Sequence, residues 1–141
     1  MVRVNLINPK YLADQHLIAE YAEILMLVAY IKRHPRPDNL PKEYCLGTGH
    51  QRFFKNKLLY LKKRHELLKK EMRKRGFTPN KTLSLKRFKK ELLKDYKPKN
   101  KDKKIIKKRL IQKLNKRPKF YRYYSKNKPK KFLTNLVKKA K

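Results

Sequence analysis

The chain has 141 residues, of which 43 are Lys or Arg and 10 are Asp or Glu, for a formal net charge of +33. That length fits one domain with a modest core. The single cysteine, Cys45, excludes an intramolecular disulfide, and the apolar run 24–31 falls far short of the roughly 20 residues that a bilayer span needs. The charge is unevenly placed. Residues 1–50 carry 6 basic and 5 acidic residues, whereas residues 51–141 carry 37 and 5. This is the pattern of a near-neutral packed unit joined to a polyanion-binding surface, and nucleic acid is the expected polyanion. With no Trp and few clean apolar faces among the basic segments, a membrane surface is not the expected partner. No secretory leader is visible, and a cytoplasmic protein associated with nucleic acid is expected.

Taken in order, residues 2–11 read as an extended arm: Val2, Val4 and Leu6 alternate with Arg3 and Asn5 until Asn8-Pro9 breaks the run. A first helix is expected to begin at about Asp14, a good N-cap residue. Leu17, Ile18, Tyr21, Ile24, Leu25, Val28 and Ile31 follow at helical spacing, and Pro35 and Pro37 stop it. From Ile24 onward this helix should be buried on all sides. His16, Glu20 and Glu23, at i, i+4 and i+7, share one face of it. A polar stripe on a core helix requires partners or a function. Cold, Glu23 reads first as the partner of a nearby cation.

Residues 34–50 form a loop whose end, Leu46-Gly47-Thr48-Gly49-His50, enters a helix and could offer free N–H groups to a phosphate. It lacks the Lys-Ser/Thr of a nucleotide-hydrolysing loop. A second helix is expected over about 51–75. Phe54, Leu58, Leu61, His65, Leu68 and Met72 form its core stripe, Lys69 and Arg75 belong to its charged surface, and Gly76 ends it. A short helix is expected near 85–94. A third main helix should run over about 103–116, capped by Asp102 and burying Ile106, Leu110 and Leu114.

Residues 117–126 interleave Phe120, Tyr121, Tyr123 and Tyr124 with Arg117, Arg122 and Lys126. These aromatics either stack on bases or dock the C-terminus on the core. The lysine-rich end, 127–141, is either a terminal helix or unfolded until it binds. His16, His34, Cys45 and His50 lack metal-ligand spacing, so neither a metal nor a cofactor is expected. The fold class is therefore all-α: one compact domain of three main helices over 1–126, with an N-terminal arm, and a basic C-terminal extension over 127–141.

Several blocks together carry a resemblance: LADQHLIAEYAE (12–23), LGTGHQRFFKNKLLYLKKRHEL (46–67), KRGF (74–77), DYKP (95–98) and RPKFYRYYSK (117–126). In order and spacing they resemble the phage endonuclease V type of pyrimidine-dimer DNA glycosylase with AP-lyase activity. The resemblance implies a catalytic pair: the α-amine of Val2, exposed when Met1 is removed, and the carboxylate of Glu23. The amine attacks C1′ of a nucleotide, the base leaves, an imine to the opened sugar forms, and β-elimination cuts the strand. It also implies DNA contacts at Arg3, Gln15, His16, Arg109, Lys113, Tyr121, Arg122, Tyr123 and Tyr124, to which the basic–aromatic pattern adds Arg117 and Lys126. The implied partner is damaged double-stranded DNA, bent and with a nucleotide flipped out, and the enzyme is expected to act as a monomer. The chain departs from familiar members at Ala22 and Met26, which stand where arginines flank the glutamate. Leu25 stands for a proline, Phe120 for a tryptophan and Val2 for a threonine. The missing arginines remove charged contacts at the lesion. The alternatives are the same lyase chemistry on abasic sites or another damaged base, and a non-catalytic basic protein that binds RNA or DNA.

Overall fold

Helix α1 (Asp14–Arg33) lies against α3 (Leu58–Lys74), and this pair forms the centre of a computed structural model that describes residues 3–141. The other helices are α2 (His50–Phe53), α4 (Asn100–Lys116) and α5 (Lys130–Lys139). An antiparallel hairpin of β1 (Arg122–Tyr123) and β2 (Lys126–Asn127) is the one sheet among the described residues. The protein is all-α in class.

The α1 and α3 helices meet through Leu17, Ile24, Leu27 and Ile31 on one side and Leu58, Leu61 and Leu68 on the other, all essentially excluded from solvent. Burial of such side chains is worth about 1.5–3 kcal/mol each. α1 ends where the N–H of His34 donates to the Tyr30 carbonyl and Pro35 follows. Its apolar half is not enclosed all round. Met26 is 59% exposed, and Ala22 and Ala29 face solvent beside it. The reason is that α3 covers the opposite side of α1.

Three elements differ from the sequence expectation. The helix read over 51–75 is interrupted between Phe53 and Leu58, because the chain opens there to meet the 93–94 segment. Lys57 bridges Leu93, and the Asn56 carbonyl accepts the Lys94 N–H at 3.2 Å. The short helix near 85–94 shrinks to one 3₁₀ turn, Lys90–Leu92, although Leu92 still enters the core. Asp102 acts from inside α4 rather than as its N-cap: its carboxylate accepts the Lys99 N–H and the Tyr96 hydroxyl. Gly76 does end α3, at φ +90°, with the Phe77 N–H returning to the Met72 carbonyl.

The C-terminal stretch is a packed helix. α5 buries Leu133, Leu136 and Val137 with Ala140, at the spacing of one helical face, and it lies on α4. The Lys107 ammonium donates to the Ala140 carbonyl and holds the end of α5 in place.

Candidate active site

The arm that leads into α1 is fixed atom by atom. Arg3 Nε–H donates to the Leu46 carbonyl at 2.6 Å. The Val4 N–H donates to His50 Nε2 at 3.1 Å, and the Val4 carbonyl accepts the Tyr44 hydroxyl at 2.7 Å. His50 Nδ1 lies 2.7 Å from the Cys45 carbonyl, which fixes the tautomer: Nδ1 donates and Nε2 accepts. The 45–50 loop therefore serves the arm through its carbonyls and the His50 ring, and its carbonyls rather than its N–H groups are the working atoms. Gly49 is needed there, because a Cβ would come within 2.9 Å of Pro41 Cγ and 3.0 Å of Cys45 Sγ. The arm then folds back at Leu6, whose φ of 61° is unusual for a branched residue.

Two ion networks, neither legible in the sequence, lock this arm to the helices. Arg64 donates from Nε and Nη2 to both oxygens of Glu20 at 2.7 and 2.9 Å, and from Nη1 to the Ile7 carbonyl. Asn5 Nδ2 shares the same carboxylate at 2.9 Å. Arg75, 7% exposed, donates to Glu71, Asp14 and the Leu12 and Pro9 carbonyls. It is buried rather than part of the charged surface of α3, as is Lys69, which donates to Thr82 Oγ1. Asp14 does not cap α1. Its carboxylate instead accepts the N–H groups of Tyr124 and Ser125 at 3.1 and 2.7 Å. Those two residues form the hairpin turn with φ of 53° and 64°, the conformation of a type I′ turn. The carboxylate offsets the strain of placing side-chain-bearing residues there.

Glu20 and Asp14 are thus structural, which leaves His16 and Glu23 on the polar face of α1. His16 enters a cavity of about 310 Å³ whose lining includes Arg3, Gln15, Arg109, Lys113 and Tyr121. Six of the residues singled out from sequence converge on this one cavity. Gln15 positions it: its amide donates to the Phe120 carbonyl at 2.8 Å and accepts the Arg122 N–H at 2.9 Å, so that it brackets Tyr121. The Tyr121 ring sits 4.6 Å from that of His16. Among the described residues, neither ring nitrogen of His16 has a hydrogen-bond partner. Burial, reinforced by Lys113 and Arg109, pushes its pKa down to about 4, so the ring is neutral at physiological pH.

Glu23 is 8% exposed and lies one turn beyond Ala19, another residue of the cavity lining. Burial raises its pKa, and the guanidinium of Arg3 opposes that rise. Arg3 in turn is pushed below its ordinary value by burial and by Arg109, with Glu23 opposing. Arg3, Glu23 and Arg109 form one electrostatically coupled group beside a neutral imidazole. The remaining sequence candidates lie outside this group. Arg117 stacks on Phe120 at 4.0 Å, and Arg122 and Lys126 are exposed on the hairpin. The Tyr123 hydroxyl donates to the Lys10 carbonyl and the Tyr124 hydroxyl to Glu71, while both rings stack with Arg75. The expected nucleophile, Val2, lies outside the described residues. Tyr44, His50, Arg64 and Arg75 were missed as supports of the site. The Gly49-His50 pair entering a helix was their only sequence signal, and it pointed to phosphate.

Chemically, the cavity offers cations for phosphate and an imidazole able to give or accept one hydrogen bond, and the shielded carboxylate of Glu23 lies outside its lining, coupled to Arg3. A protein-family model described as pyrimidine dimer DNA glycosylase matches residues 1–85.

Proposed function

For a chain that belongs to the pyrimidine dimer DNA glycosylase family, we propose that base excision runs through the α-amine of Val2 and ends in strand cleavage. An α-amine has an ordinary pKa near 7.7–8.0, so a useful fraction is neutral and nucleophilic at physiological pH, unlike a lysine near 10.4. The amine nitrogen bonds to C1′ as the C1′–base bond breaks and the base leaves with that electron pair and a proton. Opening of the C1′–O4′ bond then gives the imine. Loss of a C2′ proton and rupture of the C3′–O3′ bond cut the strand on the 3′ side. Glu23 is the carboxylate that offsets positive charge at C1′ and relays the C2′ proton. Arg3 and Arg109 hold the adjoining phosphates, and His16 hydrogen-bonds the extruded nucleotide.

The observation that carries this reading is that Arg3, the residue next to Val2, both lines the cationic cavity and is coupled to the shielded carboxylate of Glu23. Digestion of a borohydride-reduced complex with abasic duplex should yield its sugar adduct on the peptide that begins at Val2. An adduct on a lysine peptide instead would refute the amine assignment. A second reading keeps the chemistry and moves the substrate toward abasic sites. It is favoured by Ala22 and Met26, which present an uncharged face beside Glu23. Nicking of ultraviolet-irradiated, abasic and undamaged duplexes in parallel separates the two. Cleavage of irradiated DNA at a rate comparable to abasic DNA supports dimer excision, and cleavage of abasic DNA alone supports the second reading.

A further inference from the structure

No Asp or Glu follows Asp102: residues 103–141 hold 17 Lys and Arg and no acid. These cations are not on a loose tail. Most ride on α4 and α5, which pack together, and neither helix carries an acid after Asp102. Fixed like charges repel, and the free protein bears that cost unless a polyanion relieves it.

Their layout is a continuous path. From the cavity, Arg109 and Lys113 lead to a second concavity of about 220 Å³ that adds Gln112 and Lys116. Gln112 also borders a third, of about 540 Å³, where α4 meets α5, lined by Lys104, Lys107, Lys108, Ile111 and Lys138. Lys107 is occupied, since its ammonium donates to the Ala140 carbonyl. That bond fixes α5 so that Lys138 faces the same groove as Lys104 and Lys108, all three of them exposed.

We propose that the α4–α5 groove is a second DNA site that binds the backbone of the duplex flanking the lesion. This rests on the DNA-repair reading of the cavity, since it extends the same strand. From residue 104 to residue 116, α4 advances about 18 Å, or about five base-pair rises of 3.4 Å along the duplex axis, each of which brings one phosphate per strand. The groove carries no base-reading geometry. Its contribution is affinity for undamaged DNA and retention near a lesion.

The test is binding of an undamaged duplex about 40 base pairs long, measured across a salt series. With Lys104, Lys108 and Lys138 all changed to Gln, the log–log salt slope should fall by about 2–3. Affinity should drop at least about tenfold. The corresponding three Lys→Arg changes should retain the slope, which separates lost charge from lost structure. An unchanged slope would overturn the proposal, as would an equal loss from neutralising Lys81, Lys86 and Lys89, which line no part of the path. Because undamaged DNA and N-terminally acetylated protein serve equally well here, failure of the amine chemistry would leave this result intact.

Discussion

Two polar regions flank α1, and they are built on opposite terms. Between α1 and α3, three buried acids meet arginines: Glu20 meets Arg64, and Asp14 and Glu71 meet Arg75, at 2.7–3.0 Å. His65 in the same layer instead stacks on Tyr21, its ring nitrogens without a hydrogen-bond partner among the described residues. At the cavity, His16 likewise has no hydrogen-bond partner among the described residues, and Glu23 nearby is shielded, with burial raising its pKa against the pull of Arg3. Burial of a polar group costs free energy in both places. The ion pairs of the first region offset much of that cost within the protein. The same helix face therefore holds one glutamate caged by an arginine and, a single turn away, one whose burial disfavours its charge.

Substitutions should separate these roles, and the largest effect belongs to the matched region. Arg64→Met strands Glu20 in the core and should destabilise the protein by about 3–5 kcal/mol, read from urea midpoints. Glu23→Gln should do the reverse. Burial raises the pKa of Glu23, so the native state disfavours its ionised form and loss of the charge should leave stability unchanged or improved. Nicking of abasic DNA should fall at least about 100-fold while DNA binding persists. Full-rate nicking by that variant would remove Glu23 from the mechanism.

The pH dependence tests the histidines. His16 and His50 are both held near pKa 4, chiefly by burial, against an ordinary value of 6.5. The unfolded chain thus binds more protons between those values. The contribution of each ring is complete above about 6.5 and is lost as pH falls through about 4, a loss on the order of 2–3 kcal/mol at the acid end. Between pH 7 and pH 4 the urea midpoint of the parent should fall relative to that of His16→Phe, which lacks this titration. Parallel curves would contradict the assignment for His16. Smallest is Tyr44→Phe, which removes the donor to the Val4 carbonyl. It should cost about 1–2 kcal/mol and loosen the arm, seen as faster hydrogen exchange at the Val4 amide.

The sequence was most informative where local chemistry decides structure. Pro35 stopped α1, Gly76 ended α3, and Ile106, Leu110 and Leu114 marked the buried face of α4. It was weakest where a distant group decides. The 54–57 break depends on pairing with residues 93–94, and nothing in the helical spacing of Phe54 and Leu58 records that. The turn at Tyr124-Ser125 lacks Gly or Asn and exists because Asp14, 110 residues away, accepts its amides. Arg64 and Arg75 looked like any other cation on a basic helix, since an acid elsewhere determines burial. Six residues that the glycosylase-like blocks imply line one cavity, a grouping that their sequence positions alone do not show. The division into matched and unmatched polar groups required distances.

The most direct measurement compares two forms of the protein that differ only at the amine. Protein with a free Val2 amine and protein carrying a retained N-terminal tag are each incubated with abasic duplex and borohydride. We expect a covalent complex from the free form and essentially none from the blocked one, with equal duplex affinity for both. A normal yield from the blocked form would contradict the central claim.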